Sequence, residues 1–351
     1  MRAALAWLGL TMVLAVQPPA EAPQLTRLRE AAAEYERITN ALTWTPLTLP
    51  ARVIRPGDEL PEAGILHVRL IAFGDLPPQT KPPEVLRLTE TLSEGLRRFQ
   101  SRHGLAVDGV LGPATTAALA VTPRQRLAQI RDSIARLSTM DLADGRSTVL
   151  VNVPMFHLWA WNGAPWTQPA AVEMRVITGA PVTPTPTFEA TFDSITFRPF
   201  WNVPSSIAVK ELRPRIRRDP AYLARHHYEL VSAQGQVVPP SGDALARLGT
   251  GDVRIRQRPG DDNSLGLIRF DARNPHGVFL HDTPSRALFA RPRRAFSHGC
   301  IRLERPAALA EWALADPAWD AAAIETATKG EDNRQVPIGR AIRLLVVSVP
   351  A

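Results

Sequence analysis

Residues 297–302 read Ser297-His298-Gly299-Cys300-Ile301-Arg302, and residues 278–284 read Val278-Phe279-Leu280-His281-Asp282-Thr283-Pro284. Cys300 is the only cysteine in 351 residues, so no intramolecular disulfide can use it. Two roles remain: a small buried hydrophobe or a reactive thiol. Gly299 allows a strained turn or a close approach of backbone to substrate. His281 and His298 lie nearby, and arginines flank the segment at Arg294 and Arg302. A histidine base and cationic neighbours are what turn a thiol into a nucleophile. These residues favour a catalytic cysteine.

The wording of the segment goes further. Ser-His-Gly-Cys-Ile-Arg, preceded by Leu-His-Asp-Thr, resembles the signature of the L,D-transpeptidases, which cross-link bacterial peptidoglycan through a cysteine thioester. Phe197-Arg198-Pro199-Phe200-Trp201-Asn202-Val203-Pro204 is similar to that family's Asn-Pro-x-Trp-x-Val-Pro segment, with Arg198 where asparagine is usual. Pro259-Gly260, Asn263-Ser264-Leu265-Gly266 and His281-Asp282-Thr283-Pro284 follow in the order of the long periplasmic subfamily. The resemblance runs from about residue 25 to the end. It implies a multidomain α+β chain: a mostly-β L,D-transpeptidase catalytic domain with a helical capping insertion, preceded by a small α-helical peptidoglycan-binding-like domain.

Arg2 and the apolar run from Ala3 to Val16 outline a secretory signal over 1–22, and Ala20-Glu21-Ala22 has the small-x-small form of a cleavage site. Pro23 would follow the cut, where proline is unfavourable. An uncleaved anchor is therefore the alternative, although the run is shorter than the ~20 residues of a full span. The expected address is the periplasm or cell envelope.

Residues 23–80 read as a helical scaffold and proline-rich segment, with Leu25, Leu28, Ala32, Tyr35 and Ile38 at helical spacing. In 81–122, Val85, Leu88, Leu92, Leu96 and Phe99 predict a helix over 84–102. The run Phe99-Gln100-x-x-His103-Gly104, then Asp108-Gly109 and Gly112-Pro113-x-Thr115, resembles the peptidoglycan-binding repeat; a generic helical hairpin is the other reading. A linker helix is expected in 123–146, carrying Leu127, Ile130, Ile134 and Leu137.

From Thr148 the period becomes two. Val149 to Trp161 suggest a hairpin with Asn162-Gly163 at its turn. Strands are expected at 171–178, 189–197, 266–270, 278–281 and 342–349, with one helix after Cys300 at 307–314. The catalytic domain is thus set at 147–350. Residues about 205–258 break the β pattern with helix-like stretches at 209–218 and 220–226 and a short strand from His227. The resemblance implies that this insertion is a capping subdomain.

Lysine and arginine number 41 against 34 acidic residues, a net charge of +7, densest at Arg213–Arg218 and Arg291–Arg294. There is no basic stripe interleaved with aromatics, so no nucleic-acid partner is expected. Solvated faces and attraction toward an acidic polymer both fit this charge. The eight histidines include no His-Glu-x-x-His, a single cysteine makes no zinc ribbon, and Gly-rich phosphate loops are absent. Neither metal nor cofactor is expected.

On the residues alone His281, His276 and His298 all remain candidates for the base; the family motif selects His281. The resemblance places oxyanion donors at the Gly299 and Cys300 amides. Arg302 could bind a substrate carboxylate or brace the loop. Ser297 reads as a loop-stabilising hydroxyl. Asp282 could orient His281, a part the family commonly gives to a backbone carbonyl. Gly299, Arg302, Ser297, His298, Trp201 and Asn202 complete the oxyanion and substrate-binding set, with a core role the other reading of Trp201. The implied reaction is attack by Cys300 after the third residue of a tetrapeptide stem, release of D-alanine, and transfer of the acyl group to an amine of a neighbouring stem. Peptidoglycan stem peptides are the expected partners and β-lactams, carbapenems among them, the expected inhibitors. The rivals are a hydrolase of the same bond and a wall-binding protein without catalysis.

Overall fold

Among the described residues, the leucine-rich stretch before Ser138 is mainly helical. The computed structural model describes residues 23–41, 43–47, 52–142, 144–330 and 332–349, so the expected signal segment lies outside the described residues. Helices α1 (Pro23–Ala41), α2 (Ala63–Ala72), α3 (Glu90–Arg102), α4 (Pro113–Ala120) and α5 (Pro123–Ser138) follow in order. Helix α3 begins later than the apolar spacing suggests. The Thr89 hydroxyl accepts the Leu92 amide and caps it there. The stretch before it is extended, with Leu60 N–H donating to the Leu86 carbonyl at 2.8 Å, and Val85 and Leu86 stay exposed.

Leu66, Leu70, Leu88, Leu92, Leu96 and Phe99 meet in one core. Buried Gln100 ties the following turn to it. Its carbonyl oxygen accepts the amides of Asp108 and Gly109, while its NH2 lies 3.0 Å from the Thr115 hydroxyl. That explains the Gln100, Asp108-Gly109, Thr115 spacing.

The β region begins with β1 (Ser147–Asn152), β2 (His157–Trp161), β3 (Val172–Gly179) and β4 (Phe188–Phe197). The β1–β2 hairpin turns at residues 153–156, not at Asn162-Gly163. Asn152 pairs with His157, and Phe156 takes the left-handed conformation the turn needs, φ 53°. Asn162 instead follows β2, where its side-chain oxygen accepts the Trp312 indole N–H.

The insertion leaves at β5 (Trp201–Asn202). It then forms α6 (Ser205–Ile207), a π-helical turn (Ala208–Leu212), α7 (Arg213–Arg218), α8 (Tyr222–Arg225), β6 (Tyr228–Ser232), β7 (Val237–Val238), α9 (Gly242–Ala246) and β8 (Val253–Gln257). Its strands make a separate sheet in the order β5-β8-β6-β7 over a core that includes Ile207, Leu212, Ile216, Leu230 and Ile255.

The chain then returns as β9 (Ile268–Ala272), β10 (Leu280–His281), β11 (Ala295–Ser297), β12 (Ile301–Leu303), α10 (Pro306–Leu314), α11 (Ala321–Lys329), β13 (Arg334–Pro337) and β14 (Ile342–Val347). Strand β9 starts later than expected because Gly266 turns the chain at φ 63°. Strand β10 is short because the Asn274 side chain holds both the amide and the carbonyl of Val278 in a turn. A second helix, α11, follows the expected one; Asp320 caps it, and Ile324 is the one residue of that helix buried in the core.

The larger sheet runs β11-β3-β12-β10-β9-β4-β14-β1-β2, with β13 on β4, and β2 pairs back to β3. Closure leaves no open edge along that ring. Alternate residues such as Val149, Val151, Leu344 and Val346 join a core with Leu309 and Ala313 of α10. Their neighbours Leu150, Leu345 and Val347 pack with Leu25 of α1 and Leu137 of α5. Covered on both faces, β1 and β14 read as nearly continuous apolar runs.

Candidate active site

Residues from distant parts of the chain fall into one transverse row. His281 stands opposite Arg302 on one side and Arg269 on the other; Arg269 pairs with Thr196, and Thr196 with Gln335. Directly opposed residues share a face of a sheet, so this row is polar while Ile268, Leu280, Ile301 and Val336 occupy the other face. Cys300 immediately precedes β12 and lies close enough to Arg302 for that charge to act on the thiol. The Ile301 amide donates to the Phe279 carbonyl at 3.1 Å, which sets Cys300 beside Phe279. Phe279 in turn lies against His281, with ring centroids 5.7 Å apart. Cys300, His281 and Arg302 are thereby brought together.

His281 is 4% exposed. Its Nδ1 faces the Asp282 carbonyl at 2.5 Å; a carbonyl only accepts, so Nδ1 carries the proton and Nε2 is left basic. Burial and the Arg302 charge push the imidazole pKa down to about 3, against the opposing pull of the Asp282 and Leu265 carbonyls. The ring is neutral at pH 7. The Asp282 carboxylate does not orient the ring: it accepts the Leu267 amide at 3.0 Å and pairs with Arg286.

Burial pushes the Cys300 thiol up, outweighing backbone hydrogen bonding with Phe279 and the Arg302 charge. The cationic neighbour still pulls the thiol pKa down, but desolvation is the larger effect. Arg302 makes no ion pair among the described residues, and its Nε is buried without a partner.

The turn before the thiol is pinned from inside. Ser297 Oγ accepts the Gly299 amide at 3.1 Å and donates to the Cys300 carbonyl at 2.5 Å. Gly299 sits at φ 116°, where a side chain would be strained. Its amide is therefore committed to Ser297, while the Cys300 amide makes no such bond within the turn. A loop after β3 braces the same segment, although the sequence reading passed it over. Thr185 Oγ1 donates to the Gly299 carbonyl at 2.8 Å, and Thr183 Oγ1 to the Ser297 carbonyl at 3.1 Å. Its signal was the dense Pro-Thr run from Ala180 to Thr187.

The other histidines point elsewhere. His298 Nε2 meets Glu211 of the π-helical turn at 2.8 Å, linking the motif to the insertion. His276 is exposed and lies near Phe188, 5.8 Å between ring centroids. Trp201 packs with the core of the insertion and with Tyr228, whereas Asn202 lines a cleft beside the catalytic sheet. Arg198, standing where asparagine is usual, has φ 48°, a conformation asparagine tolerates better than most residues. Its guanidinium offsets this by donating to the Thr328 carbonyl at the end of α11. Buried Asn263 accepts the Leu265 amide and donates to the Pro199 and Arg258 carbonyls, positioning the loop that faces His281.

The L,D-transpeptidase catalytic domain (YkuD) family model matches residues 146–338, and the model described as "Putative peptidoglycan binding domain" matches residues 61–119. A Haemophilus influenzae protein described as "Putative L,D-transpeptidase" is 30% identical over 198 residues, 56% of this chain; the match spans 40% of that protein's length. Among solved structures, L,D-transpeptidase 3 from Mycobacterium tuberculosis with a faropenem-derived adduct is 17% identical. It covers 57% of this chain and 60% of its own, with a TM-score of 0.27. An L,D-transpeptidase (Yku) from Stackebrandtia nassauensis is 12% identical, covering 88% of this chain and 100% of its own, also at a TM-score of 0.27.

Proposed function

This chain belongs to the L,D-transpeptidase catalytic-domain family, and on that premise we propose that it is an exported enzyme that cross-links peptidoglycan stems through a Cys300 thioester. The observation that carries the reading is the β10–β12 register, which sets His281 opposite Arg302 and Cys300 at the start of the same strand pair, with both imidazole and thiol neutral. As sulfur attacks the carbonyl after the third residue of a tetrapeptide stem, His281 Nε2 takes the thiol proton and then gives it to the departing amine of D-alanine. The C–N bond breaks and a C–S bond remains. An amine of a second stem then attacks the thioester, a C–N bond forms as the C–S bond breaks, and the amine proton passes through His281 to the departing sulfur.

The Cys300 amide is suited to receive the developing oxyanion, since the Gly299 amide is held by Ser297. Arg302 is half-buried and makes no ion pair among the described residues, which supports a role toward a substrate carboxylate more than a role bracing the loop. The 61–119 match supports retention on the wall, and β-lactams are expected to acylate the same thiol. Incubating the purified protein with tetrapeptide stems tests the reading by mass spectrometry. Dimer with loss of D-alanine supports transfer; tripeptide alone means hydrolysis, and unchanged stems would leave only wall binding.

A further inference from the structure

The transverse polar row does not stop at the thiol. Beyond His281 it continues through Arg269, Thr196 and Gln335, and the insertion roofs that continuation with Asn202 and Arg256. The result is a cleft of about 220 Å³ between two sheets, lined by two arginines and three side-chain amides and by no acidic residue. We infer that this cleft is a subsite for a carboxylate carried by an acidic peptide whose reacting group lies at Cys300. The inference rests on the proposed acyl transfer and extends it to how the substrate is read.

Both guanidinium groups are held in fixed orientation. Arg269 donates from Nη2 to Asp271 at 3.0 Å, its Nε makes an ion-pair contact with the same carboxylate at 2.9 Å without a hydrogen bond, and its guanidinium stands 5.6 Å from the Phe279 ring centre. Arg256 pairs with Glu229 through Nε and Nη2 and stacks 4.4 Å over Phe200. In each, Nη1 has no acceptor among the described residues. Two rigid donor edges converging on one cleft match a carboxylate, and the orienting cost is already met by the fold.

The amides supply the complement. Gln335 uses its NH2 on Ser194, and Asn333 uses its NH2 on the Phe197 and Arg198 carbonyls, which leaves their oxygens for peptide N–H groups. Strand β9 lies two strands from β12, roughly 10 Å at ordinary sheet spacing. An extended peptide covers that in about three residues. The carboxylate read here is therefore remote from the reacting carbon, distinct from any group that meets Arg302.

The test compares stem peptides whose side carboxylates are free or amidated one at a time, used as donor against a fixed acceptor and as acceptor against a fixed donor. The readout is the ratio of KM for the amidated and free forms. For the full-length parent, amidating the carboxylate that reaches the cleft raises KM about tenfold in one arm, and that arm names the source. In Arg256→Gln combined with Glu229→Gln, which leaves no unpaired charge, the ratio falls to near one. Arg256→Lys, which keeps the charge and loses the fork, is the second variant and should lose most of the discrimination as well. A parent ratio near one in both arms, or a ratio that survives both variants, overturns the inference. If no stem is turned over, the acyl-transfer reading falls separately, and equilibrium binding of the same peptides to Cys300→Ala decides the cleft by the same ratios.

Discussion

Arg302 stands directly opposite His281 in the parallel register of β10 and β12. A fixed guanidinium charge beside a buried imidazole makes protonation of that ring costly, and burial contributes the larger share. The same burial keeps the neighbouring thiol protonated. In the proposed reaction the resting pair is thus thiol and imidazole, and charge separates only as sulfur attacks.

That state predicts an unusual pH profile. Acylation of Cys300 by a β-lactam should be flat between about pH 5 and 8, without the step near 6.5 that an ordinary histidine base gives. Rates from intact-protein mass measurements check it; a step near 6.5 would contradict a neutral buried base.

The same ring ties stability to pH. Its folded pKa of about 3 lies below the unfolded 6.5, so on acidification the unfolded chain takes the proton first. The contribution is present above about pH 6.5 and is lost as pH falls toward about 3. The Tm difference between the parent and His281→Gln should therefore narrow from pH 7 to 4. A constant difference across that window would argue against the depressed pKa.

Among substitutions, Cys300→Ala should abolish acylation, and His281→Ala should lower it by roughly 10²–10⁴, the range for loss of a positioned base. His276→Ala, at an exposed turn, should stay within about threefold of the parent. Equal losses at His276 and His281, read by β-lactam adduct formation, would reassign the base.

Ser297→Ala removes the hydroxyl that bridges the Gly299 amide and the Cys300 carbonyl. Two backbone groups beside the thiol lose their partner, at about 1–3 kcal/mol for a buried unsatisfied group. A lower Tm and acylation slowed at least tenfold are expected. Parent-like kinetics would mean that the turn holds its shape without the bridge.

Glu211 and His298 form the contact between the π-helical turn and the motif loop. Glu211→Ala and His298→Ala should each shift product from cross-linked dimer toward hydrolysed tripeptide, because water reaches a thioester more readily under a loosened cap. The double variant should be no worse than either single one. Additive losses would show that the two residues act apart.

How much of this could be read beforehand depended on the range of the signal. The lone Cys300, its Ser-His-Gly neighbours and the change of period at Thr148 are local, and they carried the fold class. Helix α11 escaped because Ile324 is its one large apolar residue and its other apolar positions are alanines. The Phe156 turn escaped because Asn162-Gly163 is the stronger turn signal but lies beyond the strand. The bonds of Ser297 were legible only as a hydroxyl near a glycine.

What the chain determined alone was therefore composition, order and local chemistry: one thiol, three histidines near it, and strands that alternate. Only the tertiary structure decided which groups meet. It set His281 between Arg302 and Arg269, sent His298 to Glu211, gave the Gly299 amide to Ser297, and faced Arg256 toward Arg269 across a cleft. The reason is physical: strand register and desolvation arise from pairing residues far apart in sequence. Neither is a property of any single stretch.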